Sequence, residues 1–336
     1  MTNHLRNRPF EIVRQVVQGT LGLVIALNIC LLNPSTVCAQ DVNVTNTDTN
    51  GVSFTKPVTQ KWKVGVTVQA NAKSVKNAYV TFPVPMDWPE QSVKIVEEKT
   101  PTNVTGIRHR TLGDGVRQVV ANIVNVRPGE KVELSVVYEV TVNQIVAPKK
   151  TDAFVIPKRP SRKIKAHLSR SPQINFNTTK FRKKAKEIVA GKETAWEQIE
   201  ALYDWVRDNI KQIEDDEPNG AQSTLRHMKG SVDDMVSLFV GFCRAHKVPA
   251  RSIFVEGHVY AEFYLEDAEG KGHWFPAQIS GNRDFGSMSD PRIIQQKGDN
   301  IKVPEEQKRQ QYVFEHVTAS SRMRPQVKFI RQLIQK

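Results

Sequence analysis

Between Lys61 and Val146 the apolar residues alternate with polar ones. The runs are Trp62, Val64, Val66 and Val68, then Tyr79-Val-Thr-Phe-Pro-Val84, then Val119, Ala121 and Ile123, and last Val132, Leu134, Val136, Tyr138, Val140 and Val142. A period of two places one set of side chains on one face of a strand. Turn sequences such as Gly113-Asp-Gly115 and Arg127-Pro-Gly-Glu130 divide the runs, so residues 61–147 are predicted to form an antiparallel β-sandwich. Prolines 148, 157, 160 and 172 punctuate a polar stretch over residues 148–177, read as a linker. Beyond it the period lengthens. A basic helix is expected from Thr179 to Ala190, stopped at Gly191, because glycine commonly terminates helices. Thr194 and Glu197 have the spacing of a capping box, and Trp196, Ile199, Leu202, Val206 and Ile210 then mark one face of an amphipathic helix.

The two ends follow other rules. Arg6, Arg8 and Arg14 precede the apolar run Leu21 to Leu32 and the small-residue site Val37-Cys38-Ala39. That is the layout of a secretory signal cleaved after Ala39, and the run, interrupted by Asn28, is shorter than the ~20 apolar residues a membrane span needs. The chain is therefore expected to be exported, to a periplasmic or extracellular location. Residues 40–60 are rich in Asn, Thr and Asp and read as a flexible leader, and residues 319–336 as a basic C-terminal tail.

At 336 residues with 39% hydrophobic and 25% charged composition, the chain has room for two globular domains. The 48 basic and 35 acidic residues give a net charge of +13; losing the signal removes three basic residues and one acid and leaves +11. A basic exported protein is drawn to anionic envelope polymers. Local basic density lies at Lys158-Arg-Pro-Ser-Arg-Lys-Ile-Lys165 and Lys180-Phe-Arg-Lys-Lys184, without the aromatic interleaving of a specific nucleic-acid module. Cys30 and Cys38 leave with the signal, so the mature chain keeps only Cys243 and stability has to come from packing.

Three segments of the C-terminal half carry further information. They are Ala201-Leu-Tyr-Asp-Trp-Val-Arg-Asp-Asn-Ile-Lys211, the stretch Gly230-Ser-Val-Asp-Asp-Met-Val-Ser-Leu-Phe-Val-Gly-Phe-Cys-Arg-Ala-His-Lys-Val-Pro-Ala-Arg251, and the pair His258-Val-Tyr-Ala-Glu-Phe-Tyr264 and Gly272-His-Trp-Phe-Pro-Ala-Gln-Ile-Ser280. In order and spacing, over about residues 194–299, they resemble the transglutaminase-like superfamily, which carries a Cys-His-Asp triad on a papain-like core. The resemblance implies a papain-like, transglutaminase-type domain over residues 178–318, which with the antiparallel, immunoglobulin-like β-sandwich read from the alternating runs makes an α+β fold. It also implies chemistry without a cofactor. In the family a thiol of pKa ~8.5 becomes a thiolate at a helix start beside an imidazolium, the Asp orients the imidazole, and the thiolate attacks an amide carbonyl.

By the same resemblance Val232 stands at the Cys position, His258 at the His position and Gln278 at the Asp position. Valine has no lone pair and no proton to lose, so covalent catalysis at residue 232 is excluded, while Gln278 can accept a hydrogen bond but carries no charge. Substitutes are weak. Cys243 lies eleven positions on, ~16 Å along a helix, inside the apolar run Leu238-Phe-Val-Gly-Phe-Cys243, as a buried structural thiol would. Ser231 points about 100° away from its neighbour on a helix. Asp233 and Asp234 suit the first turn as caps, and His109, His227, His246 and His273 show no metal-ligand spacing. The expectation is a catalytically inactive exported protein, without cofactor or metal, that binds a peptide, another protein or a cell-envelope polymer through the remnant cleft. The alternative is a noncanonical hydrolase or acyltransferase that uses His258 with Ser231 or an acid.

Overall fold

The computed structural model describes residues 51–215, 217–320 and 324–335; the signal and the leader up to residue 50 lie outside them. Six long strands come first: β1 (Ser53–Gln69), β2 (Val75–Val84), β3 (Gln91–Lys99), β4 (Val104–Leu112), β5 (Val116–Val126) and β6 (Lys131–Val146). A helical stretch follows, with α1 (Arg162–Ala166), α2 (Thr179–Ile188), α3 (Ala195–Asn209), the two-residue β7 (Lys211–Gln212), α4 (Ala221–His227), the two-residue β8 (Lys229–Gly230) and α5 (Val232–Ala245). The rest is strand: β9 (Ala250–Val255), β10 (His258–Glu266), β11 (Gly272–Gln278), β12 (Asp284–Phe285), β13 (Ile294–Lys297), β14 (His316–Ser320) and β15 (Gln326–Gln335). No described helix is long and apolar enough to cross a membrane.

The alternating runs make two facing antiparallel sheets, ordered β15-β1-β6-β3 and β14-β2-β5-β4. Trp62, Val66, Phe82, Leu134 and Tyr138 are buried between them, and the inward-facing half of each strand supplies the apolar layer of a sandwich. Both sheets are completed from the far end of the chain. β15 pairs along β1 from Lys61↔Gln335 to Gln69↔Gln326, and β14 pairs with β2 through Val317↔Val80. The described part of the expected basic tail, residues 319–320 and 324–335, is therefore not free: Ala319, Val327, Phe329 and Leu333, with Val317 before them, pack against the sandwich core, while Lys328 and Gln332 between them stay exposed on the other face. At the other end, residues 53–60 are strand rather than flexible leader, with Phe54 opposite Ile145 of β6. The segment expected as a linker is likewise anchored. Phe154 and Ile174 sit in the core of the second domain, and the Val155 amide and carbonyl pair with those of Glu266 at 2.8 and 3.0 Å.

In that second domain α5 is the central helix, apolar on most of its surface and surrounded by α2, α3, α4 and the sheet β12-β11-β10-β9-β13. α3 opens with the capping box expected from Thr194 and Glu197, and α2 ends shortly before Gly191, whose φ of 79° suits a residue without Cβ. Aromatic rings of α3 and the sheet, Trp196, Phe263, Phe275 and Phe285, interlock at centroid distances of 5.1–5.6 Å, a range in which edge and stacked contacts add to burial. The architecture is α+β, mostly antiparallel, as the sequence led us to expect.

Candidate functional site

α5 starts at Val232 because the residues before it satisfy its free amides. Ser231 is the N-cap, and its hydroxyl accepts from the Asp234 amide at 3.3 Å while donating to Asp234 Oδ2 at 3.1 Å. Asp234 also accepts from the Ser231 amide at 3.0 Å and from the amides of Asn219 and Gly220, both at 2.7 Å. That fully buried carboxylate knots the loop before α4 to the start of α5. Gly230 is required by close approach, since a Cβ there would meet the Asp234 Cβ at 2.6 Å and the Thr224 Cγ2 at 3.1 Å. Val232 is half-buried against the domain core. Asp233, beside it, is also half-buried; burial and the neighbouring Asp234 carboxylate push its pKa up to about 6.

His258 is the first residue of β10, directly after the tight turn at Gly257 (φ 67°) and opposite Val255 of β9. Gln278 is the last residue of β11, buried, with its carbonyl accepting from the Tyr203 hydroxyl at 2.9 Å and Arg207 Nη1 at 3.0 Å. α3 thus fixes where β11 ends. The side chains of His258 and Gln278 approach each other, yet His258 Nε2 and Gln278 Oε1 are both buried without a hydrogen bond of good geometry. The His258 pKa is lowered to about 4, chiefly by burial and next by the Arg292 guanidinium, with Asp290 and the Gln278 side chain opposing the shift. The imidazole is therefore neutral at pH 7. Asp290 is driven upward by burial but held low overall by Arg292, which donates to it from Nε at 2.7 Å.

The structure thus brings His258 and Gln278 together and sets Val232 at the head of the helix that packs across β9 and β10. Sequence reasoning missed Asp290 and Arg292, which lie in an irregular segment between β12 and β13 and belong to no motif. Of the residues weighed as substitutes, Ser231 is spent as a cap. Cys243 is completely buried, and burial drives its thiol pKa far above the usual range, so it offers no thiolate. His109 meets the Tyr138 hydroxyl at 3.1 Å, His227 the Ser223 hydroxyl at 3.2 Å, His246 the Gln198 Oε1 at 2.7 Å and His273 the Asp267 carboxylate at 2.7 Å. Among the described residues no group of three or more His, Cys, Asp or Glu is placed to hold a metal ion.

Residues 182–279 match the sequence model of the transglutaminase-like superfamily. No curated protein matches the chain. Among solved structures, a candidate cysteine protease from Cytophaga hutchinsonii is similar over 85% of this chain and 93% of its own, with a TM-score of 0.55 and 14% identity; at that identity the likeness is one of fold. A candidate protease from Parabacteroides distasonis aligns over 66% of this chain and 47% of its own, with 12% identity and a TM-score of 0.28.

Proposed function

Because residues 182–279 form a transglutaminase-like core, we propose that this protein is a non-catalytic member of that fold, exported to the periplasm or beyond, which binds a peptide or an amide-bearing partner through the remnant of the cleft. One observation carries the reading: the first residue of α5, where the family places its thiol, is a valine whose neighbouring hydroxyl, Ser231, is already committed to Asp234. An acyl-enzyme needs a nucleophile whose proton a base can take, and the Ser231 proton goes to a carboxylate three residues on instead. A neutral His258 facing an uncharged Gln278 suits holding an amide by hydrogen bonds better than stabilising a thiolate–imidazolium pair.

The positive charge supports a secondary contact with an anionic envelope polymer. From Ala153 to Lys186 there is no acidic residue, and Lys158, Arg159, Arg162, Lys163, Lys165, Arg182, Lys183 and Lys186 are exposed.

The cleft reading is tested by rebuilding the site. Val232→Cys with Gln278→Asp places a thiol at the helix start and a carboxylate by the imidazole. The introduced thiol is expected to react with iodoacetamide well below the ~8.5 of a free thiol, and to lose that advantage when His258→Ala is added. Cys243 is expected to stay unreactive until the protein is unfolded. Equal alkylation with and without His258 would remove the basis for the reading, and amide hydrolysis by the unmodified protein that stops on His258→Ala would favour the hydrolase alternative, the activity in the name of the Cytophaga protein. Export is checked by N-terminal sequencing of the secreted protein, with Gln40 expected as the first residue.

A further inference from the structure

The segment Ser287–Ile294 runs from β12 to β13 across the end of the second domain, and the sandwich half grips it along its length. Met288 exchanges both backbone hydrogen bonds with Ile145 of β6, each 2.9 Å. Gln144 Nε2 donates to the Ser289 carbonyl at 2.9 Å and Gln60 Nε2 to the Pro291 carbonyl at 2.7 Å. Gln91, itself buried, takes both groups of Ile294: its Nε2 donates to the carbonyl at 3.1 Å and its Oε1 accepts from the amide at 2.7 Å. Three glutamines from three strands of one sheet thus hold a strap belonging to the other domain. All three donors meet main-chain carbonyls, so they fix the path of the strap whatever side chains it carries.

The strap carries the two charged groups that act on the His258 imidazole, Arg292 and Asp290. Arg292 donates from Nε to Asp290 at 2.7 Å and from Nη1 to the Glu256 carbonyl at 3.3 Å, and Glu256 is the turn residue two before His258. The Glu256 amide in turn donates to the Ile293 carbonyl at 3.3 Å. The strap is therefore stitched to the sandwich on one side and to the His258 turn on the other, and Glu90, Asn143, Ile145, Tyr260, Met288 and Asp290 enclose a cavity no larger than a water molecule between them.

We infer that the sandwich is a working part of the His258 site: Gln60, Gln91 and Gln144 are positioning residues that hold the strap so that Asp290 and Arg292 form its charged wall. This rests on the cleft reading only in taking His258 as the centre of the site. It also gives the otherwise unexplained N-terminal half a role at the site, since a second domain lacking those strands would leave the carbonyls of Ser289, Pro291 and Ile294 without their donors and the strap free to move.

The test is made on the mature chain by following the His258 ring through a pH titration with NMR. Gln60→Ala with Gln144→Ala is expected to loosen the strap, carry the opposing Arg292 and Asp290 charges away together and admit water; because burial is the largest cause of the lowered value, the His258 midpoint should move up by roughly half a unit or more. Hydrogen-exchange protection of the Met288 amide should fall in the same variant. Val104→Ala, a cavity in the opposite sheet of the sandwich, weakens the domain without touching the strap and should leave the midpoint in place. Should the double variant fail to fold, Gln144→Ala alone, at a half-exposed position, should give a smaller movement in the same direction. An unmoved midpoint with unmoved Met288 protection overturns the inference, as does an equal movement caused by Val104→Ala. Failure of the introduced thiol to respond to His258 would count against the cleft reading while leaving this titration informative, and the reverse also holds.

Discussion

Ser231 and Asp234 satisfy each other three times: the Ser231 amide and hydroxyl donate to the Asp234 carboxylate at 3.0 and 3.1 Å, and the Asp234 amide donates to the hydroxyl at 3.3 Å. This decides the role of the hydroxyl next to Val232: it is a cap. Ser231→Ala is expected to cost about 1 kcal/mol, as a lost N-cap does. Asp234→Ala should cost more, about 3 kcal/mol, because it also strands the half-buried amide of Asn219 and the buried amide of Gly220. Urea unfolding of both variants measures the difference; a loss at Asp234 no larger than that at Ser231 would mean the knot adds nothing beyond the cap.

The neutral His258 makes stability depend on pH. Its pKa is lowered from an ordinary 6.5 to about 4 in the fold, so between those values the unfolded chain binds a proton that the folded one does not. The contribution is fully present above about pH 6.5 and is lost as pH falls toward 4. His167, also half-buried and lowered to about 4, acts in the same direction, so the comparison has to be made against a variant. His258→Gln is expected to lose less stability than the parent between pH 7 and pH 4, by about 2 kcal/mol. Parallel pH profiles from thermal unfolding of the two proteins would show that His258 is not buried neutral.

A buried ion-pair cluster crosses the domain boundary. Lys297 donates to Glu262 Oε1 at 2.6 Å and to Glu90 of the sandwich, and Arg251 Nε donates to Glu262 Oε2 at 2.7 Å; all four side chains are at least nine-tenths buried. Two cations and two carboxylates balance only when the sandwich contributes Glu90. Glu90→Gln should therefore cost about 3 kcal/mol, since it leaves an uncompensated buried charge. Adding Lys297→Met, which keeps the Arg251–Glu262 pair, should recover at least half of that loss in urea unfolding. A double variant no more stable than the single would locate the damage in packing rather than in charge.

How much of this was legible in the sequence depends on the range of the interaction. The β period of residues 61–146 and the Thr194–Glu197 capping box are local patterns, and both appear as read. The C-terminal strand was missed because its alternation, Val327, Phe329 and Leu333, is broken by Arg331, which shares the inward face and pairs with Glu315. A charge on the buried face hides the period of two, and only a partner sixteen residues away makes it tolerable.

The sequence alone determined the chemistry that residue 232 cannot perform, because a missing heteroatom is a property of the side chain and needs no coordinates. Residue order and spacing also carried the resemblance to the transglutaminase-like superfamily, whose sequence model matches residues 182–279. The tertiary structure alone decided what surrounds His258. Asp290 and Arg292 reach it through a strap without periodic pattern, held by glutamines up to 231 positions away. Side-chain amides bonded to main-chain carbonyls leave almost no trace in the residues they bind, since every residue has a carbonyl to offer, so contacts of that kind become visible only when the chain is folded.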